Sequence, residues 1–582
     1  MGNKADMKST TKKRGSKLAQ RWEQFSERAR EESREHIQEN IIDRLPHAKR
    51  VRLLILEWCL LIIIITSLAL TQAFWYSQSY SVQAYINGGT YIEATTGRVS
   101  TLNPLFATTN SEKVLSKLMF ATLSTIDYSG HVGLGLAASI VPDETGKVWA
   151  VTLRDDLKWS DGQPITLDDV LYTISLAKDP TINTSYSSNF AGVTVERVED
   201  TLLFALPSAY ADFDATLNIP ILPSHILGEV SSGQLLEHSF STNPVTSGAF
   251  TFNAMQNVSG DGEKIVYLAA NPYYYKNAPM LTSFAIHTYS SLDDIVEAIS
   301  TGEVTATAEL SAVYRDQLPP ELIYEKQTAI ASGVFAFLNT TSPTLNNVAV
   351  RQAIQKGIDM AEVRSVLGYE YPLDYPILSS EIELSEYPAL PEYDLEAARA
   401  AVAEAGVAGQ TLRLATTNSG YFPQLGAALK AQLEAIGFVV DLSISAPGQE
   451  FFVNVIRQRN YDLLLYEVEL GADPDLFAYY HSSQATNSGL NLSNYANALV
   501  DDLILGARTS MGISGRVSKY ETFLRRWVND VPAIGIYQAS LVYYFNRNVR
   551  AFSEEDRLVY ATDRFVDVEY WAVNKAPKNR TP

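Results

Sequence analysis

The residues with the most chemical reach in this chain are its 7 histidines, its single cysteine and its acidic runs. Histidine suits metal ligation and proton transfer near neutral pH, but a metal site needs several ligands to converge. His36, His47, His131, His225, His238, His287 and His481 are scattered, with no ligand spacing among them. Metal binding through histidine clusters is not expected. Cys59 alone allows no internal disulfide, no cysteine zinc cluster and no redox pair. The chain lacks a G-x-S-x-G elbow, an H-E-x-x-H pair and a G-x-x-x-x-G-K phosphate loop, so no enzymatic reaction and no cofactor are expected. Gly133-Leu134-Gly135-Leu136-Ala137-Ala138 has a superficial dinucleotide-fingerprint look. Without a preceding strand, or an acidic residue at the right distance, it reads as a turn. Polar groups suited to holding a ligand remain: Thr108-Thr109-Asn110 at a helix start, and Ser247-Gly248.

The elements around these groups have a legible grammar between Ala137 and Val170. Val148–Leu153 is rich in β-branched and aromatic residues and follows the Asp143–Gly146 turn, which predicts a strand. Trp159-Ser160-Asp161-Gly162 reads as a compact turn. Thr166 then precedes an amphipathic helix with Asp168 and Asp169 where the helix dipole favours negative charge.

With 582 residues and 46% apolar composition, the chain is large enough to bury a core without disulfides. Its 32 tyrosines fit a recognition surface or simply a strand-rich body, and both readings stand. The net charge of −20 is unevenly shared. Residues 1–52 hold 14 Lys and Arg against 8 Asp and Glu, and everything beyond holds 32 against 58. An acidic body of this kind argues against nucleic acid as a partner.

Leu53–Phe74 follows Lys49-Arg50-Val51-Arg52 and supplies about the 20 apolar residues that a membrane-crossing helix needs. Trp58, Trp75 and Tyr76 sit where interface anchors belong, and the positive-inside rule places residues 1–52 in the cytoplasm. A cleaved signal peptide is the weaker reading, because a charged region of about fifty residues is too long for one. Residues 53–75 are thus expected to be a single uncleaved anchor in the cell membrane. The arm before it is expected to be partly helical, from the spacing of Leu18, Trp22, Phe25 and Ala29. From Tyr85 onward no repeat and no low-complexity linker appears, which predicts one body with interwoven lobes.

Short motifs recur in a fixed order along that body. Leu102-Asn103-Pro104 is followed by Ala137-Ala138-Ser139, by Leu153-Arg154 and by Trp159 with Asp161-Gly162. Ile221-Leu222-Pro223-Ser224-His225-Ile226-Leu227, Thr246-Ser247-Gly248-Ala249-Phe250 and Asn271-Pro272-Tyr273-Tyr274 come next. Then follow Phe337-Leu338-Asn339, Val350-Arg351-Gln352-Ala353-Ile354, Tyr393-Asp394-Leu395-Glu396-Ala397-Ala398, Asp473-Pro474-Asp475 and Val531-Pro532-Ala533. In this order they resemble the extracytoplasmic solute-binding proteins of family 5, the oligopeptide, dipeptide and nickel receptors of ABC importers.

The resemblance implies an α/β, bilobal, type II periplasmic-binding-protein-like fold in its large, three-subdomain form, preceded by one transmembrane helix. Residues 85–335 would form lobe 1, with an accessory subdomain over about 105–235. Residues 336–535 would form lobe 2, and 536–575 would return to lobe 1. Hinges are expected at roughly Ser332–Asn339 and Ser540–Phe545, closing a cleft on an extended solute, most simply a peptide, for delivery to permease subunits. Arg154, Arg351 and Asp359 read as packing charges. Peptide-binding relatives place an aspartate for the ligand amine at the position held here by Leu470, so Glu469 or Asp473 would have to substitute. Asn339, Thr108, Thr109, Asn110, Ser247 and Gly248 complete the candidate ligand contacts. A sensor or scaffold receptor of the same fold, or a receptor for a non-peptide solute, is the alternative.

Overall fold

Alternation along Ile323–Leu338 shows how this chain builds its core. In the computed structural model Val334, Ala336 and Leu338 enter one apolar cluster, while Phe335 and Phe337 enter another on the opposite face. A strand whose two faces are both buried reads as a continuous apolar run, because successive side chains point to opposite sides. The structure describes residues 52–579 apart from 129, 180, 183, 185, 188, 259–262, 369–370, 379–381, 447, 472, 488 and 552–556. The arm over residues 1–51 and the turn at 259–262 lie outside the described residues.

Helix Arg52–Tyr80 contains the stretch Leu56–Trp75, whose mean hydropathy is 1.9. It is the one helix among the described residues long and apolar enough to cross a membrane. It matches the apolar run anticipated at residues 53–75.

The body, Tyr85–Lys575, is organised on one mixed sheet. Among the described residues its strands run in the order Val439–Ser445, Thr411–Thr417, Leu463–Glu469, Ile323–Leu338, Ala533–Asn546, Ala306–Thr307, Thr90–Thr96, Ser283–Tyr289, Lys264–Ala270, Phe250–Asn257. The two long central strands belong to both halves. In one half, helices Val348–Gly357 and Phe422–Ile436 bury Val350, Ile354, Leu425, Leu429 and Leu433 on one face. Helices Ala498–Arg508 and Ile513–Asp530 bury Val500, Ile504, Phe523 and Trp527 on the other. In the second half Tyr91, Phe284 and Tyr543 share a large cluster with an accessory four-stranded sheet, while Ala94, Val542 and Tyr544 pack beneath helix Leu292–Thr301. Separate cores joined by two strands make an α/β, bilobal fold.

The passage between lobes is marked in the register. Ala329 faces Ser540 and Gly333 faces Gln538, so the long strands lose regular pairing over residues 330–332. This irregularity begins just before the stretch expected to bend and re-aims the strand. Gly333 leaves room there for neighbouring side chains: a Cβ would meet Leu373 at 2.6 Å and Phe335 at 2.7 Å, and both would have to shift.

The accessory sheet orders Ala137–Pro142, Val148–Leu153, Thr201–Ala205 and Thr194–Val198 as antiparallel neighbours. Helix Leu167–Lys178 starts after Thr166, whose N–H donates to Asp169 at 2.8 Å. Asp169 also accepts from the Ser224 N–H and hydroxyl, both at 2.7 Å, which ties this helix to the next segment. Arg154 donates to the Gly135 carbonyl at 2.7 Å, and Arg351 donates to the Asp530 carbonyl at 2.8 Å. The turn read over Gly133–Ala138 is narrower than anticipated. Val132–Leu134 is a short strand against Ser124–Ile126, because backbone pairing overrides the glycines.

Candidate functional site

A cavity of about 650 Å³ opens in the body, walled by segments that are far apart in sequence. Its first wall is built by Glu112. Helix Asn110–Met119 begins after Thr109, whose hydroxyl accepts the Glu112 N–H at 3.2 Å, while the Glu112 carboxylate turns back onto the preceding loop. There it accepts backbone N–H groups of Ser100 (2.8 Å), Thr101 (3.2 Å), Thr108 (2.9 Å) and Thr109 (3.1 Å). Burial pushes this carboxyl up, but the four N–H donors outweigh that and hold it below its ordinary range. This capping box fixes the loop and the first helical turn together. Thr108, Asn110, Lys113 and Lys117 then face the cavity, the last three at helical i, i+3, i+7 spacing.

Ala308-Glu309 and Tyr560–Arg564 continue the wall beside that helix. The Glu309 carboxyl accepts the Thr96 hydroxyl at 2.5 Å and lies 3.5 Å from the Asn110 amide nitrogen. Burial pushes it up, and these donors only partly offset that. Lys117 pairs with Asp563 at 2.8 Å. Arg564 pairs with Glu93, which also accepts the Tyr543 hydroxyl at 2.7 Å. The Arg564 guanidinium stacks 4.2 Å from the centre of the Phe565 ring. These neutralised pairs form a rigid backing. Tyr186 contributes a phenol that burial raises to about 12, so it acts only as a neutral donor and acceptor near neutral pH.

Glu469 enters from the end of strand Leu463–Glu469, opposite Ser332. Its side chain is exposed to the cavity, and its carbonyl accepts the Tyr479 hydroxyl. Leu470 is only 5% exposed and packs in the core cluster with Phe335 and Phe337. Adjacent residues of an extended chain face opposite sides, so a cavity-facing Glu469 requires a core-facing Leu470.

The acids that the sequence offered as alternatives are thereby separated. Asp473 is buried in an ion pair with Arg516, which also holds Asp212 at 2.6 Å. It is spent on joining segments and is absent from the cavity wall among the described residues. Thr109 acts as the helix cap behind the wall. Asn339 donates to the Tyr461 carbonyl at 3.1 Å and accepts the Thr341 hydroxyl at 2.8 Å, so its amide is committed within its own lobe. The Ser247 hydroxyl accepts the Ala121 N–H at 3.0 Å. Gly248 is needed for tight packing, since a Cβ would sit 2.5 Å from the Leu118 carbonyl oxygen; it borders only a minor void of about 40 Å³. Thr108, Asn110 and Glu469 therefore meet in one cavity, while Thr109, Asn339, Asp473, Ser247 and Gly248 do not line it. Sequence reasoning missed Lys113, Lys117, Glu309 and the Tyr560–Arg564 segment. The helical spacing from Asn110 was a usable signal for the two lysines. No local pattern marks Glu309 or Tyr560.

Among the described residues no group of histidine, cysteine, aspartate and glutamate gathers to hold a metal ion. The cavity offers hydroxyls, an amide and charges of both signs.

Comparisons with known proteins bear on the fold and the family. Oligopeptide-binding protein AppA of Bacillus subtilis is 23% identical over 490 residues, covering 77% of this chain and 86% of that protein. Periplasmic oligopeptide-binding protein OppA of Escherichia coli is 22% identical over 477 residues, covering 75% and 83%. The structure of AppA from Bacillus subtilis in complex with a nonapeptide superposes with a TM-score of 0.70 at 22% identity, covering 84% of this chain and all of that one. CtaP, an ABC transporter substrate-binding protein of Listeria monocytogenes, superposes at 0.72 with 22% identity, over 84% of this chain and 100% of that one. The family model described as bacterial extracellular solute-binding proteins, family 5, matches residues 131–489, more than half of the chain. The chain belongs to the family 5 extracellular solute-binding proteins.

Proposed function

We propose that this protein is a membrane-tethered receptor that captures peptides in the cavity between its lobes and delivers them to the permease of an ABC importer. The observation that carries this reading is the cavity itself. Its volume of about 650 Å³ lies within the range for small-molecule sites, and its wall pairs fixed polar groups with charges of both signs. A zwitterionic peptide needs such a wall, whereas an apolar solute would not. The relatives named for oligopeptide binding support the same ligand class. Residues 85–335 with 536–575 would move as one lobe and 336–535 as the other, bending where the long strands lose register. The apolar helix over Leu56–Trp75 would hold the receptor at the membrane, with the basic arm on the cytoplasmic side.

Native mass spectrometry of the detergent-purified full chain tests the ligand class. A ladder of co-purified peptide masses is the expected result. A single non-peptide mass would overturn the peptide reading and leave the receptor role in place.

A further inference from the structure

The charges of the cavity wall do not cancel, and their imbalance specifies a ligand. Six ionic side chains line it: Lys113, Lys117, Glu309, Glu469, Asp563 and Arg564. Lys117 and Asp563 neutralise each other at 2.8 Å. Arg564 is neutralised from behind by Glu93, in a pair whose side chains are 3% and 0% exposed. Lys113, Glu309 and Glu469 make no ion pair with any described residue. The wall therefore presents two carboxyl groups and one ammonium without an ion-pair partner, and Glu309, which burial pushes up, is the one that an incoming cation would have to hold ionised.

Resting on the proposal that the cavity takes peptides, we propose that it is charge-matched to short peptides carrying one basic side chain. A peptide with neutral side chains brings one ammonium and one carboxylate. Its carboxylate answers Lys113 and its ammonium answers one glutamate, leaving the other desolvated without a partner when the lobes close. Such a group is costly in a water-poor site. A lysine or arginine side chain supplies the missing cation. An acidic side chain instead adds a third negative group to a wall that has no free cation for it. The two carboxyl groups have different surroundings. Glu469 is exposed at a strand end, whereas Glu309 is half-buried beside Thr96 and Asn110 and has only neutral donors at hydrogen-bonding distance. A planar guanidinium or a flexible ammonium can reach one while the peptide amine occupies the other. The selectivity sits in the wall and differs from the diffuse attraction of a net charge of −20, which salt screens.

The test is calorimetric titration of the full chain in detergent with Ala-Lys-Ala, Ala-Ala-Ala and Ala-Glu-Ala at moderate salt. Ala-Lys-Ala is expected to bind at least about tenfold more tightly than Ala-Ala-Ala, as one charge-assisted contact implies, with Ala-Glu-Ala weakest. The lysine-over-alanine preference is expected to shrink several-fold in Glu469→Gln and in Glu309→Gln. Glu469 is exposed, so its variant gives a folded readout even if the Glu309 variant is unstable. Equal affinity for the three peptides, or an unchanged preference in Glu469→Gln, overturns the charge assignment while peptide capture stands. Absence of binding by all three overturns the peptide reading and the assignment together.

Discussion

Four backbone N–H groups converge on the Glu112 carboxylate, and the cavity wall at Thr108 and Asn110 depends on them. Charged hydrogen bonds of this kind are each worth roughly 1.5–3 kcal/mol when the acceptor is buried. Glu112→Gln keeps the shape and removes the charge, so it is expected to cost about 2 kcal/mol, read as a lower denaturant midpoint at pH 7. The sign of the pH dependence follows from the depressed carboxyl. Its folded value lies below the unfolded one, so its stabilisation is present above about pH 4.3 and is lost as pH falls through the folded value. The gap between wild type and Glu112→Gln is expected to be full at pH 7 and to close below about pH 4. A gap that persists unchanged at pH 3 would mean that Glu112 acts through packing and not through its charge. Asp462 adds to the same acid sensitivity. Burial raises its carboxyl, yet Arg413 and Ser342 outweigh that and hold it low.

Between elements, the contact most exposed to test joins the Tyr210–Asp212 segment to the loop and helices beyond strand Leu463–Glu469. Arg516 bridges Asp212 and Asp473, and Arg508 lies 4.6 Å from the Tyr210 ring centre and 4.7 Å from that of Phe477 while pairing with Asp475 at 3.3 Å. The Ala211 N–H donates to the Arg508 carbonyl at 3.0 Å. These groups join the segment that follows the accessory sheet to helices Ala498–Arg508 and Ile513–Asp530, which pack on the other half of the central sheet. Removing the central cation leaves two buried carboxylates unpaired, which costs about 3–5 kcal/mol. Arg516→Met, matched in length, is expected to loosen this contact and increase the ligand-free radius of gyration in small-angle scattering. An unchanged radius together with an unchanged denaturant midpoint would show that this cluster is dispensable. Burial pushes Asp212 up even with Arg516 beside it. A raised carboxyl gains folded-state stability as pH falls towards its unfolded value. Mild acid is therefore not expected to release the cluster.

At the scale of the whole molecule, local order was legible and distant assembly was not. The Val148–Leu153 strand, the helix after Thr166 and the apolar run before Tyr76 each carry their signal within a few residues, and the ordered motifs pointed to the family. Glu469 and Asp473 read alike in the sequence, as two acids beside Leu470, and only the fold turns Glu469 to the cavity. Asp473 pairs instead with Arg516, over forty residues onward, and nothing local in the sequence says so. Glu309 and Tyr560 escaped because their place in the wall depends on strand order, which brings residue 108 beside residues 309, 469 and 560 through contacts hundreds of residues apart. The proposed function turns on solute binding in the cavity behind Thr108. Thr108 is exposed into it, so a Thr108→Trp side chain would occupy the space; it gives up the 3.3 Å hydroxyl contact with Glu112 and keeps the backbone N–H bond to that carboxylate. Calorimetric titration of wild type and Thr108→Trp with Ala-Lys-Ala tests the claim directly. One peptide per chain for wild type, and at least about a hundredfold weaker binding for a variant that still unfolds cooperatively near the wild-type denaturant midpoint, is the predicted result. Equal affinity in the two proteins would contradict it.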